Sequence, residues 1–411
     1  MSYETYRVAD LIDEIAMGPF GSNIKVSCFV DSGVPVLNGS NLEGFSLSEK
    51  AFRFVTKEKA DSLNKANAHR GDIVITHRGT LGQIAFIPQD SRYDRYVISQ
   101  SQFRVRCNDK VLPEYLVYYF HTPIGQHKLL SNASQVGVPA LARPSSTFQQ
   151  IEVELPELNI QKRVVEIITT IQKKIENNQE LNDNLEQQAQ SYFHELFVDN
   201  ADPEWAIGTI SDLGTVVGGS TPSKAKPEYY TESGIAWITP KDLSINKSKF
   251  VSHGENDITE LGLKNSSAAI MPEGTVLFSS RAPIGYIAIA AGEVTTNQGF
   301  KSVVPKPEIG TPFVYFFLKN TLPVIEGMAS GSTFKEVSGS TMKNVPAVIP
   351  DAETLAKFSD FCAPIFAQQR ILEEQNQSLA TLRDNLLPKL MSGEIDVSAV
   401  QLQAAKLSFT V

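Results

Sequence analysis

The sequence predicts an α+β fold. Two similar mixed α/β domains are separated by two long antiparallel coiled-coil helices, and a pseudo-two-fold relates the halves. Three observations carry this. The chain repeats itself: Ser32-Gly33-Val34-Pro35-Val36-Leu37 returns as Ser233-Gly234-Ile235-Ala236-Trp237-Ile238, 201 residues on. Gly71, Arg78 and Gly82 return as Gly274, Arg281 and Gly285 at an offset of 203, and Gly137 and Pro156 as Gly331 and Pro350 at 194. A repeat that long means two domains rather than a solenoid. Each repeat ends in an apolar stripe spaced by fours and threes, and begins with short β-like runs cut by turn residues.

In chain order, residues 1–155 form the first domain, with strands expected at Val34–Leu37, Asp72–Thr76, Gln83–Ile87 and Phe103–Arg106. A short helix is expected at Pro113–His121, where proline suits the first turn. Residues 156–200 form the first long helix. Its seam runs through Val164, Ile168, Ile171, Ile175, Asn178, Asn182, Leu185, Ala189, Tyr192 and Leu196. From Ile160 to Leu196 it would be roughly 55 Å long at about 1.5 Å per residue. Residues 201–349 repeat the domain, with strands at Ala236–Thr239, Thr275–Ser279, Tyr286–Ala290 and Phe300–Val304 and a helix at Thr311–Lys319. Residues 350–396 repeat the long helix, so that Asn182 is equivalent to Asn376 and Leu196 to Leu390. A polar residue in a seam costs stability but fixes register; alternatively Asn178 and Asn182 merely face solvent. Residues 397–411 form a tail.

The 411 residues carry 37 Lys and Arg against 46 Asp and Glu, a net charge of −9. The acidity is uneven. The first domain nets 0 and the second −2, while the first helix nets −4 and the segment 351–411 nets −3. The domains are near neutral and the helices acidic, which suits the helices to protein docking better than to DNA. Cys28, Cys107 and Cys362 are odd in number and far apart, so neither a disulfide framework nor a zinc site is expected. No apolar run spans a membrane, and Met1-Ser2-Tyr3-Glu4 opens no signal peptide, so a cytoplasmic protein is expected.

No catalytic residue and no metal ligand set is expected on this chain. The sequence has no phosphate-binding glycine loop, no GxSxG elbow, no HExxH and no Asp/Glu-x-Lys tripeptide. The repeated turns Arg78-Gly79-Thr80-Leu81-Gly82 and Arg281-Ala282-Pro283-Ile284-Gly285 set an arginine on a stiff bend. That arrangement suits a phosphate clamp, so Arg78, Thr80 and Arg281 are candidate DNA contacts. The alternative is an arginine paired with an internal carboxylate. Base reading is expected where the halves diverge: Asn38 and Ser40 against Lys241, and Gln100 and Gln102 against Asn297 and Gln298. Asn and Gln can bond adenine, and Lys guanine; the same types are also ordinary turn residues. Lys335 is a further phosphate candidate.

These residues resemble the DNA specificity subunit of type I restriction–modification systems. The likeness covers the whole chain. It is carried by Leu155-Pro156 with Gln161-Lys162-Arg163, by the Arg78–Gly82 turn, by Thr296-Asn297-Gln298-Gly299-Phe300, and above all by Leu382-Arg383-Asp384-Asn385-Leu386-Leu387-Pro388-Lys389-Leu390-Met391-Ser392-Gly393-Glu394-Ile395. The resemblance implies that each domain is a target recognition domain reading one half of a bipartite site in double-stranded DNA. The helices would set the spacer and dock two modification (methyltransferase) subunits, through Gln161, Arg163, Lys357, Leu386 and Leu390. Restriction (translocase/nuclease) subunits would join them. S-adenosylmethionine, ATP and Mg would belong to the partner subunits, with no cofactor on this chain. The chain departs from the pattern at Asn159-Ile160, where an acidic residue is usual before Gln161. It departs again at Asp351-Ala352-Glu353-Thr354-Leu355-Ala356-Lys357, which lacks a Gln-Lys/Arg opening. Two other readings compete. A self-contained nuclease or methyltransferase would act alone. An interaction or inhibitory module would mimic DNA through its acidic helices.

Overall fold

The computed structural model describes residues 2–19, 21–134, 137–331 and 335–398. The chain divides into two compact units, residues 1–173 with 379–411, and residues 174–378. This cut differs from the expected boundaries at 155/156 and 349/350, because each unit takes a share of both long helices into its core. The tail from 399 to 411 lies outside the described residues.

In the first unit, Tyr3–Arg7 pairs antiparallel with Glu152–Pro156. A four-stranded sheet runs in the order Ile12–Met17, Gln102–Cys107, Ile73–Thr76, Ile84–Phe86. A five-stranded sheet runs Phe29–Val30, Arg53–Val55, Val34–Val36, Arg95–Val97, Asn67–His69. In that second sheet Val36 and Val97 pair in parallel. The helix at Pro113–His121 has the expected bounds, with proline in its first turn. Its Tyr115, Tyr118 and Phe120 are buried with Phe103, Phe148 and Ile160, Val164 and Ile168 of the first long helix (Leu158–His194). Leu387, Leu390 and Met391 of the second long helix (Ala352–Ser392) complete this core. Burying that many apolar side chains, at about 1.5–3 kcal/mol each, is what fastens the helix ends to the domain.

The second unit repeats the plan. Ala206–Thr209 pairs with Pro346–Ile349. The five-stranded sheet is now Gly214–Gly218, Lys301–Pro305, Val276–Ser280, Ile284–Ala290, Phe250–Val251. The four-stranded one is Tyr230–Thr231, Asn256–Ile258, Ile235–Ile238, Thr295–Thr296, with Trp237 and Thr295 paired in parallel. The helix expected at Thr311–Lys319 continues to Met328 through Pro323. Its Phe313, Phe316 and Phe317 pack with Phe193, Phe358, Cys362 and Phe366 of the long helices, and this burial holds the helix through a residue that locally disfavours it.

Within each unit the long helices run antiparallel. In the second unit Asn178 donates to Asn376 Oδ1 at 2.9 Å, and Gln369 Nε2 donates to the Asn182 carbonyl at 3.2 Å. Asn178 is 2% exposed, so it faces the seam and not solvent. In the first unit Arg383 donates to Gln172 at 2.8 Å and its guanidinium lies over the Phe45 ring.

Candidate nucleic-acid interface

In the first unit the strand Ile73–Thr76 ends in a turn that carries His77 and Arg78. Gly79 and Gly82 take φ of 93° and 87°, a left-handed backbone that disfavours other residues. Gly79 N donates to the Pro139 carbonyl at 2.9 Å, which pins the bend. Arg78 and Thr80 are exposed, and Arg78 has no ion-pair partner among the described residues. Close by, Gly18 passes so near the Ser99 loop that a Cβ there would lie 1.9 Å from the Ser99 carbonyl oxygen. This close approach holds Gln100 at the rim of an open cleft of 1220 Å³, which Arg78, His77, Asn64, Lys65 and Arg106 also line. His77 Nε2 lies 3.2 Å from the Gln100 carbonyl oxygen, and burial holds its pKa below the usual value, so the ring is neutral at pH 7. Asp72 is fully buried and accepts from Arg106 Nε at 2.9 Å, while Arg104 donates to Glu14 at 2.8 Å. The cleft floor is thus neutralised internally, and among the described residues the unpaired basic side chains at its rim are Arg78 and Lys65.

The second unit builds a smaller cleft, 390 Å³, from Lys241, Asn297, Gln298, Thr221, Lys224 and Asn256. Three of the residues expected to read bases therefore converge. Lys241 pairs with Glu255 at 2.5 Å, and Asn297 Oδ1 accepts from Gly299 N at 2.8 Å. Gln298 is exposed and meets the Thr221 hydroxyl.

The type I restriction modification DNA specificity domain matches residues 3–187 and again 203–382. The chain belongs to that family. A 191-residue stretch is 39% identical to the type I restriction enzyme MjaIX specificity subunit of Methanocaldococcus jannaschii, and this covers 44% of either chain, less than half of that relative's length. The HindI specificity subunit of Haemophilus influenzae is 24% identical, covering 79% of this chain and 87% of its own. The fold is similar to that of the S subunit from M. genitalium, with a TM-score of 0.59 and 16% identity over 95% of this chain and 96% of that one. Among readings, membership in the specificity family favours DNA sequence recognition over a DNA mimic.

Several expected contacts of this specificity subunit need correction. Gln102 is 1% exposed and its Oε1 accepts from Ser99 N at 2.9 Å, so it braces the loop and cannot reach a base. Arg281 sits 3.4 Å from Glu336, the alternative its sequence left open. Lys301 lies 3.8 Å from the same carboxylate. Asn38 and Asn41 form a capping box on the short helix Gly39–Leu42, and the Asn38 amide oxygen is taken by Ser40 N at 2.9 Å. Asn38 and Ser40 remain exposed, but Asn38 is an N-cap first. Thr239 and Asp242 form the same box on either side of Lys241. Lys335 is exposed; the neighbouring residues 332–334 lie outside the described residues.

Among the docking candidates, Gln161 is 1% exposed. Its carboxamide accepts from Leu112 N at 3.0 Å and donates to the Pro156 carbonyl at 2.9 Å, locking the helix start to the domain. Leu390 is 2% exposed in the first core. Arg163 donates to the Val397 carbonyl at 2.8 Å and so holds the segment after the second helix. These three are internal fasteners. Lys357 is exposed beside the Tyr192 ring, and Leu386 is half-buried.

Sequence reasoning missed His77, Lys224 and Asn256 at the clefts. Gly18 and Gly219 were the available signal, since they recur at 201, the offset of the Ser32 and Ser233 segments. It also missed a buried cluster in the second unit, where Glu186 accepts from Lys249 at 2.8 Å and from Lys319 at 2.5 Å. Among the described residues no three His, Cys, Asp or Glu side chains form a metal-holding group, and no helix is long and apolar enough to cross a membrane.

Proposed function

We propose that this specificity subunit reads a bipartite duplex site, each domain taking one half through its cleft, within a cytoplasmic complex. The observation that supports this most is the repeated strand framework, on which each unit opens a cleft beside the loop that carries Gln100 or Gln298, lined in each by exposed amide and basic side chains. Arg78, with no carboxylate to neutralise it among the described residues, would grip phosphate, and Lys241, Asn297 and Gln298 would meet base edges. The long helices would set the gap between half-sites and dock two modification subunits, with Lys357 and Leu386 as surface candidates. Methylation from S-adenosylmethionine, and ATP- and Mg-dependent cleavage by restriction subunits, would then take place on the partners, this chain using no cofactor. Their surfaces would supply the basic charge that a chain of net −9 lacks.

The test is to express the chain with its modification subunit and S-adenosylmethionine and to map methylated adenines on a random duplex library. A two-part motif with a fixed gap, lost when this chain is omitted, is the expected result. Methylation that is absent, or that does not depend on this chain, refutes the proposal.

A further inference from the structure

Strand pairing supplies a register between the two clefts that the sequence repeat left loose. Val36 pairs in parallel with Val97, and Trp237, 201 residues after Val36, pairs in parallel with Thr295. Val97 and Thr295 are therefore equivalent, at an offset of 198. The sheet behind gives the same offset independently: Ile73 pairs with Val105, and Val276, 203 residues after Ile73, pairs with Val303. At 198, Gln100 falls on Gln298.

The local framework agrees. Met17 pairs with Phe103 and Gly218 with Lys301, which makes Gly18 the equivalent of Gly219. A Cβ on Gly219 would lie 2.0 Å from the Asn297 carbonyl oxygen, the same obstruction that Gly18 would meet at Ser99. Each glutamine thus follows a residue pinned by a glycine crossing. Each is exposed at its cleft, and neither carboxamide nitrogen has a partner among the described residues. Their surroundings differ. Gln100 has Arg78, Asn64 and Lys65 for neighbours; Gln298 has Lys241, Lys224 and Asn256.

Two clefts with different linings keep one identical, exposed side chain at one equivalent place in the strand framework; the Gln298 oxygen accepts from the Thr221 hydroxyl and has a second lone pair left for a base. A glutamine carboxamide offers a donor and an acceptor side by side, which matches the N6 amino and N7 of adenine. We infer that Gln100 and Gln298 read the same base, adenine, at the corresponding position of each half-site, so that two otherwise unlike halves share one fixed letter. The inference rests on the bipartite reading above.

The experiment uses the complex with the modification subunit. Duplexes bound from a randomised library are sequenced, so that the readout does not itself require an adenine to be modified. The unaltered chain is expected to select adenine at one matching position in each half, counted from the gap. Gln298→Ala should cut that preference about tenfold or more in one half and leave the other intact, and Gln100→Ala should do the reverse. Gln298→Glu should move the preference toward cytosine, whose N4 amino group suits a carboxylate. Loss at unmatched positions overturns the inference, as does a uniform loss of affinity with the preference unchanged. If the unaltered chain selects no two-part motif, the bipartite reading itself fails and this inference falls with it.

Discussion

Replacing Glu186 by glutamine should destabilise the second unit sharply, and the size of the effect follows from the charges buried around it. Glu186 accepts from Lys249 Nζ at 2.8 Å, Lys319 Nζ at 2.5 Å and the Tyr315 hydroxyl at 3.1 Å. Lys249 also lies 3.5 Å from the Phe366 ring centre and donates to Gln369 at 2.9 Å. Its side chain is 6% exposed and that of Glu186 20%. Burial pushes the Lys249 ammonium down from 10.5 to about 8, against the pull of Glu186. Burial alone would raise Glu186, but the two ammoniums outweigh it and hold the carboxyl down at about 2, from 4.5. At about 1.4 kcal/mol per pH unit, each displacement is worth about 3 kcal/mol, with opposite signs at neutral pH. The Lys249–Glu186 attraction enters both displacements, so they do not add; that attraction offsets the desolvation of the two charges, and the intact pair contributes little net stability. Glu186→Gln removes that attraction and leaves the buried Lys249 ammonium without its carboxylate. A loss of about 3–5 kcal/mol is expected, and for a unit of this size a Tm lower by about 6–20 °C.

The assay is scanning calorimetry of the full chain at pH 7, read on the transition that the substitution moves. The double variant Glu186→Gln/Lys249→Met should recover most of the loss, because it removes the deeply buried ammonium and leaves only Lys319, whose side chain is 31% exposed and can reach water. The pH dependence has a definite sign. The Glu186 contribution is present above pH 4.5 and is lost as pH falls toward 2. The Lys249 cost is full below pH 8 and lifts as pH rises to 10.5, so the native chain gains stability there and Lys249→Met does not share that gain. A Tm for Glu186→Gln within about 2 °C of the native chain would refute the reasoning, since the expected loss is several times larger.

Gly219→Ala should displace the Asn297–Gln298 loop, because its methyl would meet the Asn297 carbonyl at 2.0 Å; selection of bound duplexes should then blur one half-site only. Arg78→Ala should weaken DNA binding by the complex and reduce its salt slope by about 0.9, whereas Arg281→Ala should do less, since Glu336 already sits 3.4 Å from that guanidinium; equal slopes for both would contradict this. Gln161→Ala strands Leu112 N and should cost about 1–3 kcal/mol in urea unfolding, without a specific loss of modification-subunit binding. Replacing Asn178 and Asn376 together by leucine should raise stability, as measured by urea unfolding, because the buried amide pair gives way to apolar packing.

The repeat, the long helices and the strands at the clefts were legible in the sequence because each rests on local periodicity or on recurrence. The run Ile73–Thr76 is apolar and bounded by Gly71-Asp72, and the Val164–Ile168 stripe can bury only as a helix. The helix Thr311–Met328 runs beyond the expected Lys319 and through Pro323, because Phe313, Phe316 and Ile325 are held by burial that no local window contains. Residue type identified Gln100, Lys241 and Gln298 as able to face DNA. It could not separate them from Gln102, Gln161 and Leu390, whose roles depend on which way the chain turns them. Gln100 lies in the turn that precedes the strand Gln102–Cys107 and lines a cleft, while Gln102, at the strand's start, turns inward and braces that turn. The Glu186–Lys249 cluster joins residues 63 apart through a pocket of aromatic rings. The sequence by itself determined the kind of protein, two alike domains and their helices. Only the tertiary structure decided which charges are spent inside it and which, like that of Arg78, are left to face a partner, because desolvation and pairing depend on distances that sequence spacing does not hold.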